Sequence, residues 1–138
     1  MPGMIRRARN FLRTLIRREH WWAEAWSGLM LASFGAVSLM ARPEHLHALP
    51  STRSFMLLMP NGIWQAVMAA SGIFQMVTLL ADSRWRRCAA AFLAAFFYAW
   101  ITENQILFSY GLHPVILLSA GWIGVNMFAV SRAIGGLR

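Results

Sequence analysis

Apolar residues gather in four long blocks, at residues 21–41, 61–81, 88–108 and 114–131, each bounded by arginine, proline or a short polar turn. At a rise of roughly 1.5 Å per residue, each block is about long enough to cross a hydrocarbon layer ~30 Å thick as a single helix. The pattern therefore predicts an all-α integral membrane protein with four transmembrane helices in an antiparallel bundle. Between the first two blocks, residues 42–60 carry three prolines and a Ser-Thr-Arg-Ser run and are expected to form a loop. Its apolar piece, Phe55 to Met59, is expected to lie at the interface. Asn61 is a plausible N-cap for the second block and Pro114 fits the first position of the fourth.

Polar residues inside the blocks carry most of the functional information. Only one residue from Cys88 to Phe108 is formally charged, Glu103. A carboxylate well inside a span costs several kcal/mol unless it is protonated, paired or turned toward protein or water, so Glu103 is the leading functional candidate. Cys88, Ala91, Ala95, Ala99 and Glu103 form an apparent small-residue ridge, which places Glu103 in a closely approached helix interface, with Thr102, Asn104 and Gln105 beside it. In the second block, Gln65, Gly72, Gln75 and Asp82 share a face with Ser71 and Thr78 alongside. Ser119, Trp122 and Asn126 share one in the fourth. Such faces must point toward protein or water, so Gln65, Gln75, Asn104 and Asn126 join Glu103 as candidate intramembrane sites. In the first block, Gly28, Ala32, Gly35 and Ala36 form a stripe suited to close helix contact, and Trp21, Trp22 and Trp26 form an interfacial belt. Glu24 lies near enough to the interface to reach water, His20 or nearby arginines.

Ahead of the blocks, residues 1–20 form a separate unit. At about 100° per residue, Ile5, Ala8, Phe11, Leu12, Leu15 and Ile16 fall in one arc, and arginines fill most of the rest. This predicts a cationic amphipathic helix lying in the headgroup plane, followed by a transmembrane domain over residues 21–138. Expected lipid-headgroup contacts are Arg6, Arg7, Arg9, Arg13, Arg17 and Arg18, with Arg84, Arg86 and Arg87 in the turn before the third block. All thirteen basic residues are arginine, and they crowd the N-terminal arm, that turn and the C-terminus. Because cytoplasmic segments carry the excess of positive charge, the distribution predicts both termini and the middle turn in the cytoplasm. The first span is expected to serve as the targeting signal.

Composition agrees: the chain is 58% hydrophobic and 13% charged, against roughly 25% charged for a soluble domain. The net charge of +8 suggests nucleic acid at first sight, but its clustering at the ends of apolar blocks fits anionic lipid instead. With one cysteine, Cys88, no intramolecular disulfide is possible. His45 and His47, with Glu44, lack the closed ligand set of a zinc site, so neither metal nor cofactor is expected. His113 is expected at the interface. There is no Gly-rich phosphate loop, HExxH or CxxC, and with the chain spent on spanning a bilayer no enzyme is expected.

In size, multiple spans and basic termini, the layout of the whole chain resembles small phage-encoded membrane proteins of the holin type, though many of those have one to three spans. The resemblance implies a bacterial inner membrane, phage lysis and membrane permeabilisation by a homo-oligomer, and it transfers no site residue. Small multidrug transporters are also four-helix proteins of this size, but their essential carboxylate lies in the first span, where this chain has only Glu24. The alternatives are an accessory or assembly subunit of a larger membrane complex, or a small proton-coupled transporter or channel using Glu103. The discriminating question is geometric: whether Gln65, Gln75, Glu103 and Asn126 meet inside one copy or point outward.

Overall fold

A computed structural model describes residues 21–80, 83–109, 111 and 113–135; the expected amphipathic helix with its six arginines, Asp82 and the last three residues lie outside the described residues. The described residues are all-helical, without a strand. Their order is α1 (Trp21–Met40), α2 (Pro43–Ala48), a 3-10 turn (Pro50–Thr52), α3 (Arg53–Leu58), α4 (Ile63–Leu79), α5 (Arg84–Phe108) and α6 (Pro114–Gly135). Three helices, α1, α5 and α6, are long and apolar enough to cross a membrane, and the broken pair Pro50–Leu58 and Ile63–Leu79 makes a fourth if counted as one span.

Helix α1 packs chiefly on α4, and α5 chiefly on α6. Glycine makes the first pairing. A Cβ placed on Gly72 would collide with the backbone of Ala32 and stand 2.5 Å from the Gly28 carbonyl oxygen, and one on Gly35 would stand 2.5 Å from the Ala69 nitrogen. Backbones this close gain dispersion contact that side chains would otherwise hold apart, the usual means of helix association where lipid removes the hydrophobic drive. Alanines perform the same office in the second pair, where Ala91 packs with Ala129 and Val130.

Burial mixes apolar and polar side chains. Leu31, Leu46, Phe55, Trp64 and Met68 are fully buried, and so are Ser27, Gln65, Gln75, Asn104 and Asn126, whereas Val37, Met40, Ile73, Val77, Phe92, Leu117 and Phe128 are exposed. Polar residues held inside while so many large apolar residues face outward fit an apolar surround.

The segment expected to be a loop is instead two short helices joined by the 3-10 turn. Pro43 and Pro50 each occupy a first helical turn, where their missing N–H costs nothing. The chain turns by 113° between this segment and α4, so it lies across the end of the bundle. Phe55, expected at the interface, is fully buried and stacks between Trp64 and Trp100, with ring centroids 5.2 and 4.2 Å away. The Ser54 amide donates to Asn104 Oδ1 at 2.8 Å, and Trp100 Nε1 donates to Ser54 Oγ at 2.7 Å. These bonds, with the aromatic stack, dock the segment onto α5.

Two boundaries also move. Helix α5 starts at Arg84, so Arg84, Arg86 and Arg87 belong to its first turn rather than to a connection, as suits arginine's strong helix propensity. At α4 the N-cap is Gly62, with φ of +91°, and Asn61 serves it indirectly: Asn61 Oδ1 accepts from Gln65 Nε2, while Gln65 Oε1 accepts from the Gly62 amide at 2.6 Å.

Replacing Gly72 by Ala should force α1 and α4 apart at a cost of about 1–3 kcal/mol, the usual range for overpacking. Gly124→Ala, where a Cβ meets nothing within 4 Å, should cost nothing and gain up to about 1 kcal/mol of helix propensity. Denaturant titration of both variants in detergent checks this, and an unaltered Gly72→Ala midpoint would contradict the close approach.

Candidate functional site

The polar residues of four helices converge in the first half of α1. Ser27 of α1, Gln75 of α4 and Asn126 of α6 are all essentially inaccessible. They form a closed ring: Gln75 Nε2 donates to Asn126 Oδ1 at 2.6 Å, Asn126 Nδ2 donates to Ser27 Oγ at 2.7 Å, and Ser27 Oγ donates to Gln75 Oε1 at 3.3 Å. The second N–H of Asn126 donates to the Trp122 carbonyl at 2.8 Å. Rotating one amide by a half-turn would oppose like groups, and rotating both would reverse the ring but set Asn126 Oδ1 against the Trp122 carbonyl, so that carbonyl selects the orientation. The fourth helix, α5, enters through Tyr98, whose hydroxyl donates to the Ser27 carbonyl at 2.8 Å. One turn further along, Thr102 donates to Ser119 Oγ at 2.7 Å and ties α5 to α6 a second time.

One turn before Ser27 lies Glu24, which is buried rather than in contact with water. Arg87 Nη2 donates to both carboxylate oxygens, at 2.7 and 2.9 Å. Arg87, expected at lipid headgroups, is thus committed to Glu24 and links α1 to α5. Glu24 is buried while Arg87 keeps part of its side chain exposed, so removing Arg87 would leave a buried carboxylate uncompensated.

The sequence-selected residues divide into three groups. Gln75 and Asn126 meet in the ring. Gln65 and Asn104 are buried but work at the opposite end, Gln65 in the α4 cap and Asn104 under Ser54, where its Nδ2 also donates to the Trp100 carbonyl at 2.8 Å. Glu103 stands apart. It is exposed and has no hydrogen-bond or ion-pair partner among the described residues, contrary to the expected helix interface. A step of four residues turns a helix by about 400°, so the ridge drifts ~40° per step and has swung ~120° between Ala91 and Glu103. The buried face follows Ala91, Ala94, Tyr98, Ile101 and Gln105 instead, in steps of three and four.

Sequence reading missed Ser27, Tyr98 and the Glu24–Arg87 pair. A signal existed for the first two: Ser27 and Ser38 are polar residues in an otherwise apolar block, and Tyr98 places a hydroxyl at mid-span, away from the interfacial belts that usually hold tyrosine. Of the remaining candidates, His113 caps α6, accepting the Val115 amide on Nδ1 at 3.2 Å. Glu44, His45 and His47 are exposed, and no group of three metal-ligating side chains occurs among the described residues. Arg84 and Arg86 are exposed at the same end as Arg87.

No family model, no curated protein and no solved structure matches the chain.

A double-mutant cycle on Gln75→Leu and Asn126→Leu should return a coupling of about 0.6–1.7 kcal/mol, the range of interhelical hydrogen bonds in membranes. Strictly additive effects would show the ring to be energetically idle. Arg87→Gln should cost about 3 kcal/mol by stranding the Glu24 charge, and adding Glu24→Gln should recover most of that loss. Chemical denaturation in detergent reads both comparisons, and a double variant no more stable than Arg87→Gln would argue against the pair.

Proposed function

We propose that this chain is a non-enzymatic, multi-pass protein of a bacterial inner membrane, with both termini cytoplasmic, that acts as an accessory or assembly subunit of a larger membrane complex. The observation that carries the reading is the closed ring of Ser27, Gln75 and Asn126. Polar groups that could line water are spent on one another inside a single copy, so the chain has no need of other copies to satisfy them. A transport role for Glu103 has no support in its position, because the carboxyl faces outward instead of toward a path between the helices.

Glu103 supports docking instead. It shares an outward stripe of α5 with Phe92, Phe96, Ile106 and Leu107, all exposed. One carboxylate on an apolar surface gains most by pairing with a neighbouring protein. The same stripe favours a second reading, lateral self-association of the holin-like kind, in which the neighbours are further copies.

Inducible expression in a bacterial host, followed by membrane potential and cell density, separates the two. The subunit reading expects cells that keep their potential and grow normally, with Glu103→Gln shifting the protein from a larger assembly to a monomer on native gels. Abrupt, delayed depolarisation, abolished by Glu103→Gln, would overturn it in favour of membrane permeabilisation.

A further inference from the structure

At the arginine-rich end of the bundle, α1 and α6 meet only loosely and leave a groove of about 340 Å³ lined by Ala23, Glu24, Gly124, Val125, Phe128 and Ala129. Its walls are apolar except for Glu24, and the side of α6 that carries Gly124 is open, with nothing within 4 Å of where a Cβ would stand there. We propose that this groove holds one anionic phospholipid, with an acyl chain against Gly124, Val125 and Phe128 and its phosphate at the Arg87–Arg132 end. The proposal rests on the membrane setting proposed above and is independent of whether the chain is a subunit or a permeabilising oligomer.

Three observations point to an anionic, acceptor-rich headgroup. Two buried N–H groups at this end, Trp21 Nε1 and Arg87 Nε, have no acceptor among the described residues. Trp21 lies one turn before Glu24 on α1, and Arg87 reaches Glu24 from α5, so both donors lie beside Glu24 without lining the groove, and a side chain must shift to open them to its occupant. Buried donors without acceptors are costly, and a phosphate supplies several acceptor oxygens at once. Charge agrees: among the described residues at this end, Arg84, Arg86, Arg87 and Arg132 stand against the carboxylate of Glu24, which Arg87 Nη2 already engages through both oxygens. The third observation joins charge to groove, for the Arg132 guanidinium lies over the Phe128 ring, 5.9 Å from its centroid. A cation held above an apolar wall fits a molecule with a charged head and an apolar tail. Free phosphate would leave the wall empty, and a second parallel copy would bring the same arginine-rich end to the same mouth.

The test uses the full-length chain extracted in detergent, offered equimolar phosphatidylglycerol and phosphatidylcholine, with retained lipid counted by native mass spectrometry. One phosphatidylglycerol per chain should be retained in preference to phosphatidylcholine. Gly124→Leu, which fills the groove at an open position, should abolish retention while circular dichroism stays unchanged. Arg132→Gln, which removes the cation above Phe128, should reduce the preference about fivefold, the contribution expected of one arginine beside an anionic headgroup. Equal retention of both lipids by the parent protein, undiminished phosphatidylglycerol in either folded variant, or a dimer cross-linked through position 124 would overturn the proposal. If Gly124→Leu fails to fold, Arg132→Gln decides alone. Failure of the membrane setting itself would appear separately, as recovery of the chain without detergent.

Discussion

The rest of the structure depends on one constraint: a polar side chain withdrawn from water must find its partner inside the protein. Ser27, Gln75 and Asn126 answer it by each donating to the next around a closed ring. Because the three residues come from α1, α4 and α6, satisfying them fixes the relative rotation of three helices at once. Tyr98 extends the constraint to α5 through the Ser27 carbonyl. Apolar burial could not do this in lipid, where a leucine gains nothing by leaving the acyl chains for a neighbouring helix. Rotating α4 by one residue would carry Gln75 ~100° from its partners and strand a primary amide, a penalty larger than the few tenths of a kcal/mol that separate alternative apolar packings.

Close approach is the condition that lets so short a ring close. Serine reaches only one heavy atom beyond its Cβ, so Ser27 can meet Gln75 only where the two backbones nearly touch. The neighbouring residues supply this: Gly28 follows Ser27 directly, and Gly72 lies one turn before Gln75. Packing and hydrogen bonding are therefore not separable contributions here. A larger residue at either glycine lengthens the ring before it costs any dispersion contact, so stability and specificity are held by the same few positions.

How much of this was legible in the sequence follows from which signals are local. Long apolar blocks report helices directly, and α1, α5 and α6 fall close to where the blocks lie because length and composition alone decide them. The inward polar face of α4 was also legible, since Gln75, Ser71 and Thr78 recur at helical spacing. The error at Glu103 came from extending an i+4 ridge over three steps, where the true helix period accumulates a third of a turn. The connection between α1 and α4 was hidden for a different reason. Its helices are each six residues long, too short to show a period, and they are held by tertiary contacts to Trp100 and Asn104, about fifty residues away in the chain. Likewise Arg87 had two plausible partners in the sequence, lipid and carboxylate, and only the packing of α1 beside α5 selects Glu24.

The two ends of the bundle are chemically unlike, and this asymmetry bears most on function. At the end crossed by the Pro43–Leu58 segment, donors are matched: Trp100 Nε1 bonds Ser54, Trp64 Nε1 bonds Met56 Sδ, Asn104 bonds both the Ser54 amide and the Trp100 carbonyl, and Phe55 fills the space between the two indoles. Among the described residues, no buried side-chain donor at that end is left wanting a partner. The arginine-rich end has a part-buried ion pair, two unmatched donors and an open side on α6. An end already satisfied has little to gain from binding, whereas the other end offers unmatched donors and an apolar groove that an amphiphile would cover. Any response of this protein to its surroundings should accordingly be concentrated where Glu24 and Arg87 meet.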